Sequence, residues 1–341
     1  MAVSWRILTS ADAGWHSLAS LEGATLFHSA AYNRVIERAF GGPVLVAALV
    51  DDGGRVLAGW PASFWTVGPV RQLYGVYPKG NFVGPVDLVR ENIVGLREAC
   101  REAGIHLVRM ISCEDDPIRE LPGARCIRHL WHVMDLTGKT PESLWEGYKK
   151  RVRRDVRVAE KAGLAVRAMR REEFPTFHEM YREMMNRNRA SVAPGPGTYE
   201  ALWDEFHDDG RAEFLVTVGP DDVPVAGIIG VHDSPVTHYY AGCSRTEAFH
   251  LSPNDLAMHT LIESAVRRGH TRLDFGSTYA GQEGLIRFKE KWGAERRTLD
   301  LLEWWFSAWR RNLWDVGMKI ARNHLGALLV RWGVGINKKK R

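Results

Sequence analysis

The sequence predicts an α/β fold, an α+β arrangement of mixed sheets in two tandem domains with a basic amphipathic tail. Three observations carry this. The chain has 341 residues of which 45% are hydrophobic, more than one ordinary core accommodates, so two domains are expected. A strand-turn-strand unit occurs twice, as LVAALVDDGGRVLAGWPASF from Leu45 and LVTVGPDDVPVAGIIGVH from Leu215, each with an Asp-Asp turn between apolar, β-branched runs. In the second half, antiparallel strands precede a strand-helix-strand crossover, the order that builds a mixed sheet.

Taken in order, Val44–Asp51 and Arg55–Phe64 flank Asp52-Gly53-Gly54 and pair as a hairpin. A helix near Arg90–Ala103 and a strand at His106–Ser112 follow. After the Pro/Gly/Cys-bearing stretch Pro117–Cys126 comes a strand at Leu130–Leu136. Thr137-Gly138-Lys139-Thr140-Pro141 reads as a junction, giving domains at 1–137 and 138–305 and a tail at 306–341. The second domain reads as helix Pro141–Lys161, strand Leu164–Met169, helices Phe174–Asn188 and Tyr199–His207, and strands Glu213–Val218, Pro224–Val231 and Val236–Ala241. Helix Pro253–Arg268, strand Thr271–Phe275, a short helix near Gly284–Lys291 and strand Arg297–Trp304 complete it.

Composition excludes several classes. Gly (33) and Pro (15) are near average, so collagen-like and low-complexity chains are out. Cys100, Cys113, Cys126 and Cys243 are too widely spaced for a redox pair or a zinc knuckle, so they read as reduced core thiols and no metal is expected. Asp12 and Glu22 interrupt the apolar run that a signal peptide needs. The charge-free window Val56–Val70 contains Gly59, Pro61 and Gly68 and is shorter than the ~20 residues of a membrane-spanning helix. A cytoplasmic location is therefore expected. The net charge of +5 is unevenly placed: Phe306–Arg341 carries nine basic residues against Asp315, a net of +8, leaving −3 for the rest.

Three segments carry chemistry. In LWEGYKKRVRRDVRVAEKAG, Trp145, Tyr148, Val152, Val156 and Ala159 recur at helical spacing as one apolar face, and Lys150, Arg154, Arg157 and Lys161 form another. Seven basic residues there meet only Asp155 and Glu160, so the face suits a phosphate-bearing substrate or an RNA backbone; a solvated outer face is the competing reading. In HLSPNDLAMHTLIESAVRRG, Ser252 can cap a helix with Pro253 first, Asp255 third and Gly269 as the stop. A helix start following a strand is an anion site in general. Yet the Gly-rich loop with which acetyl-CoA N-acetyltransferases wrap pyrophosphate is missing, Pro253 lacks an N–H and Asp255 adds negative charge. In LDFGSTYAGQEGLIRFKEKWGAE, Asp274 ends a strand and Phe288-Lys289 lies on a short helix, where a lysine can stabilise an oxyanion or neutralise a phosphate. A strand-end cap and a surface charge are the plainer readings of Asp274 and Lys289. His232, His238 and His259 are scattered on apolar patterns and read as structural.

These segments, with YREMMNRN, TYEALWDEF and YYAGCS before SPNDL, resemble the Fem family of peptidyltransferases over most of residues 1 to 305. That family consists of duplicated relatives of the GNAT acetyltransferase fold and includes enzymes that build peptidoglycan interpeptide bridges from aminoacyl-tRNA. The resemblance implies two tandem GNAT-like domains and an aminoacyltransferase. The implied partners are aminoacyl-tRNA and a nucleotide- or lipid-linked amine acceptor, with no cofactor beyond the co-substrate. It places Phe288 and Lys289 at the family's Phe-Lys position, which holds the aminoacyl-ester end of tRNA and the developing oxyanion, and Arg187 where the family binds phosphate of the acceptor. Asp274 is the candidate polar group near the acceptor amine; Lys150, Arg154 and Arg157 are candidate substrate contacts. Ile36 stands where the family has an acceptor-site lysine. An acyl-CoA-dependent N-acyltransferase acting on an amino sugar or amino acid, and a non-catalytic membrane-associated scaffold, are the alternatives.

In the tail, Trp309, Leu313, Val316, Ile320, His324 and Leu328 fall near helical spacing among Arg310, Arg311, Lys319, Arg322 and Arg331. That composition suits a helix lying on an anionic membrane, which would make the protein peripheral on the inner face of the cell membrane. Packing back on the domain and nucleic-acid contact are the other readings.

Overall fold

The computed structural model of the chain describes residues 2–322 except 77, 114–115, 117, 189–194, 196 and 279–280. In chain order the first elements are β1 (Val3–Leu8), α1 (Ala30–Phe40), β2 (Val44–Asp51), β3 (Val56–Val67), β4 (Val70–Gly75), α2 (Val86–Glu102), β5 (Leu107–Cys113) and β6 (Arg125–Asp135). Next come α3 (Pro141–Gly147), α4 (Lys150–Lys161), β7 (Ala165–Ala168), α5 (Phe174–Arg187), α6 (Gly197–Phe206), β8 (Ala212–Val218), β9 (Pro224–Asp233) and β10 (Val236–Ser244). The last are α7 (Pro253–Arg267), β11 (Arg272–Thr278), α8 (Glu283–Lys291), β12 (Glu295–Trp305) and α9 (Ala308–Arg322).

Two compact units result, Met1–Arg128 with the chain from Leu299, and His129–Thr298. Their sheets share one plan. In the first, β1-β2-β3-β4 are successively antiparallel, β5 joins β4 in parallel and β12 pairs antiparallel with β5. In the second, β7-β8-β9-β10 repeat the antiparallel run, β11 joins β10 in parallel and β6 closes antiparallel on β11. The repeated hairpin of the sequence is β2-β3 in one unit and β8-β9 in the other, at equivalent places.

The units are not the consecutive segments 1–137 and 138–305. The strand from His129 serves the second unit and the one from Leu299 serves the first. Each sheet ends in a parallel pair with an open edge, and an antiparallel strand satisfies that edge whichever way the chain arrives. Periodicity marks a strand but not the edge it will cover.

Each unit has its own core. In the first, α2 lays Val89, Ile93, Leu96 and Cys100 against Ala47, Trp60, Leu73 and Val108 of the sheet. In the second, α4 and α7 contribute Val152, Val156, Ala159, Met258, Leu261 and Ile262 to a cluster with Leu215, Ile228, Leu273 and Phe275.

The helix expected over Pro141–Lys161 is two helices. Tyr148 takes an extended backbone (φ −65°, ψ 139°), which turns its ring onto Trp292 at 5.4 Å and His259 at 5.6 Å. Gly147 just before it offers little helical preference to resist the break. Cys100, Cys113 and Cys243 are buried as expected, but Cys126 is exposed because it lies in the outer half of β6. The Cys100 thiol is pushed up to about 12 by burial.

Candidate active site

β10 and β11 are hydrogen-bonded only from Val236 and Arg272 to His238 and Asp274. Past that point both strands lose register against their outer neighbours, between Tyr239 and Ala241 on β10 and between Asp274 and Ser277 on β11. Gly276 makes the second irregularity feasible, since its φ of 71° is a left-handed conformation that a side chain resists. Gly242 serves the first: a Cβ there would lie 2.4 Å from the Tyr239 hydroxyl.

Buried polar groups gather where this pairing stops. The Asp274 carboxylate, 3% exposed, accepts from the Trp131 indole Nε1 and the Gly276 backbone N–H, both at 2.7 Å to Oδ1. Its Oδ2 lies 3.5 Å from His238 Nδ1. From α8, Lys289 reaches the same segment at 2% exposure. Its Nζ donates to Gly276 O at 3.0 Å, Ser277 O at 2.9 Å and Thr278 Oγ1 at 2.8 Å. Burial pushes its ammonium down to about 7, with the Asp274 charge opposing that shift. His132 on β6 is fully buried; burial first, and then the Lys289 charge, lower its pKa.

Asp274 and Lys289 thus meet at Gly276, and neither is a surface group. Asp274 does more than cap a strand, because three elements converge on its two oxygens. His238, read as structural from its apolar surroundings, faces it from the adjacent strand. Trp131 and Thr278 were not singled out by the sequence at all. The one available signal for His238 was its place in a strand parallel to the one bearing Asp274.

Phe288, next to Lys289 in the sequence, is half-buried against the core of the second unit, with the Lys291 ammonium 5.2 Å from its ring centroid. Lys291 also pairs with the buried Asp255 of α7 and lies 3.8 Å from Asp155 of α4. Burial raises the Asp255 carboxyl, Lys291 opposes this and Asp155 reinforces it.

The start of α7 differs from the capped helix expected. Ser252 has φ 55° and makes no side-chain cap; in this left-handed conformation its carbonyl accepts from the Asp255 and Leu256 N–H groups. The preceding Thr246–Leu251 is a 3-10 helix. No Gly-rich loop intervenes between β10 and α7.

Of the α4 cations, Arg154 binds Asp155 at 2.8 Å and Arg151 lies 3.7 Å from it. Lys150, Arg153, Arg154, Arg157 and Lys161 line a surface groove together with Val158, while Val152, Val156 and Ala159 are buried. Lys150, Arg154 and Arg157 therefore share one face, as their spacing predicts. Arg187, at the end of α5, lies elsewhere in the same unit. Its Nη1 donates to Thr246 Oγ1 at 2.7 Å, lies 3.8 Å from Glu183, and the guanidinium covers the Phe249 ring at 4.3 Å. These contacts fix the end of α5 to the segment after β10. Among the described residues no group of three or more His, Cys, Asp or Glu side chains is placed to hold a metal ion.

The fold has known counterparts. Residues 147–290 match the family model of the acetyltransferase (GNAT) domain. A crystal structure of FemX has a TM-score of 0.64 at 16% identity, covering 86% of this chain and 96% of that one. L-PGS from Bacillus licheniformis has a TM-score of 0.53 at 14% identity, over 75% of this chain and 83% of that one. A tandem GNAT protein from the clavulanic acid biosynthesis pathway has a TM-score of 0.53 at 13% identity, over 89% and 98%. A comparison with curated proteins finds no match. Residues 147–290 thus form a GNAT-type acetyltransferase domain, and the fold of the chain is tandem GNAT-like and similar to that of FemX.

Proposed function

We propose that this chain is an aminoacyltransferase that moves an aminoacyl group from aminoacyl-tRNA to the amine of a nucleotide- or lipid-linked cell-envelope or metabolite precursor. The observation that carries this reading is the start of α7. A pyrophosphate bound there needs several free N–H donors and no nearby anion. Here Pro253 supplies no N–H, and Asp255 is already buried with Lys291. An acyl-CoA donor therefore lacks its customary cradle. The basic face of α4 offers instead a row of cations at a spacing that suits a nucleic-acid backbone.

The reaction asks little of the protein, because an aminoacyl ester is already activated. The acceptor amine attacks the ester carbonyl carbon, a C–N bond forms, and the C–O bond to the terminal ribose breaks. The amine's proton leaves with the ribose oxygen. Positioning and stabilisation of the oxyanion dominate such a step. Lys289 contributes its charge and fixes the bulged end of β11. When Lys289 is protonated its N–H is given to Thr278 Oγ1, so the Thr278 hydroxyl hydrogen is the group that can turn toward an oxyanion. Asp274, steadied by Trp131 and Gly276, orients His238 beside the parting strands, where an acceptor amine can lose its proton. The family resemblance makes Phe288, next to Lys289 on α8, and Arg187, apart from this cluster at the end of α5, further substrate contacts.

The test is transfer of a labelled amino acid from a charged-tRNA pool to amine-bearing envelope precursors, with and without prior RNase treatment. Transfer abolished by RNase is the expected result. No transfer from tRNA, with acyl-CoA supporting product formation, overturns it.

A further inference from the structure

Helix α9 is docked on the first unit by one side only. Trp314 meets Trp305 edge-on at 5.8 Å, Asp315 pairs with Arg125 at 3.2 Å, and Arg310 Nε donates to Pro69 O at 3.3 Å. On the other side Trp309, Leu313 and Val316 are 57%, 48% and 54% exposed. At about 100° per residue they fall within roughly 60° of one another around the helix axis. The other exposed large apolar side chains, Phe40, Val94, Val158, Val223, Phe249 and Leu285, lie singly on different segments. Among the described residues α9 alone exposes a stripe.

Three kinds of occupant compete for this stripe, and the surroundings separate them. A stable protein interface buries about 800 Å² on each side with some 20 to 30 residues, and three side chains on one short helix fall well below that. An RNA backbone accounts for the basic residues that follow Asp315 in the sequence but gives an indole, a leucine and a valine nothing apolar to meet. An anionic bilayer answers both. Its acyl boundary takes the apolar stripe and its headgroups attract those basic residues, with Trp309 at the level where indoles settle. The charge agrees: the acid of α9, Asp315, is neutralised by Arg125, and beyond it the sequence has seven basic residues and no acidic one.

We propose that the exposed face of α9 is an interfacial anchor that lays the protein on an anionic lipid surface. The inference stands independently of the acyl donor, since a membrane-held protein can use either aminoacyl-tRNA or an acyl thioester.

Co-sedimentation of the full chain with vesicles tests it. Vesicles of phosphatidylcholine alone are compared with vesicles containing about 30% phosphatidylglycerol, at about 0.05 M and 0.3 M salt. The variant is Trp309→Ser/Leu313→Ser/Val316→Ser, whose side chains are all exposed, with circular dichroism and melting as folding controls. The expected results are binding to anionic vesicles that weakens with salt, and a loss of about tenfold or more in the folded variant. Failure of the wild-type chain to bind anionic vesicles overturns the proposal. So does a folded variant that binds them as well as wild type, which would assign the attraction to the basic terminus alone. Wild-type dimerisation at micromolar concentration that the variant abolishes would assign the stripe to a second copy. RNA binding that the variant weakens, with vesicle binding unchanged, would assign it to RNA.

Discussion

The buried Lys289 makes stability depend on pH in a way that one substitution isolates. In the unfolded chain a lysine titrates near 10.4, whereas burial among Gly276, Ser277 and Thr278 brings this one down to about 7. Below pH 7 both states hold the proton. Between about 7 and 10.4 the unfolded state binds it and the folded state does not, so stability rises with pH across that window. From pH 7 to pH 9 the gain is about 2 kcal/mol, allowing for half-protonation of the folded form at the lower pH. Lys289→Met removes the titration while roughly keeping the side chain's length. It leaves the two carbonyls and the hydroxyl without their donor, a loss that does not depend on pH. The measurement is the urea transition of each protein at pH 7 and pH 9, followed by backbone circular dichroism. All other titrating groups are common to both proteins, so the wild type should gain about 2 kcal/mol on the variant over those two pH units. A difference constant to within about 0.5 kcal/mol would show that Lys289 is charged throughout.

Three further outcomes follow from the same geometry. Asp274→Ala should destabilise the protein by about 2 to 5 kcal/mol, because it strands the Trp131 indole N–H and the Gly276 N–H in the interior; Asp274→Asn, which keeps an acceptor oxygen, should cost less than half of that, and equal costs in urea titrations would contradict the assignment. Glu173 binds Arg167 through two bonds of 2.7 and 2.9 Å, and Arg167 first among its partners holds its carboxyl at about 2. Its contribution is complete above the ordinary glutamate pKa and is lost as pH falls toward 2, so the wild type's lead in melting temperature over Glu173→Gln should shrink across that interval. Lys150→Glu with Arg157→Glu should weaken tRNA binding and reduce its logarithmic salt slope by about one for each phosphate that is no longer neutralised; an unchanged slope in a filter-binding series would remove α4 from the interface.

Much of the fold was legible because apolar periodicity is local. The apolar runs of β2-β3 and β8-β9 and the helical stripe Val152, Val156, Ala159 lie in the sequence as they lie in the structure. The break at Tyr148 was not, since a tyrosine continues a helical pattern as well as it leaves one, and its packing on Trp292 and His259 decides. In the candidate site, Asp274 and Lys289 lie in one short segment, so their nearness is legible in the sequence. Trp131 is 143 residues from Asp274 and reaches it only because β6 closes the sheet beside β11. His238 depends likewise on the parallel register of β10 with β11. Strand order is a property of the assembled sheet, so side chains that meet through it leave no spacing to read.

The assignment of the strand from Leu299 to the first unit bears on how the protein is made. Residues 129–298 are contiguous and can fold as soon as they leave the ribosome. The earlier-synthesised unit must wait for nearly the whole chain, holding β5 with an unpaired edge from Leu107 to Cys113 until its last strand arrives. Such an edge is a template for non-native pairing. A fragment cut at residue 137 keeps that edge permanently, so expressing the amino-terminal half alone should yield aggregates, whereas a fragment beginning at His129 and ending at Thr298 keeps the pairings among all six strands of its own unit.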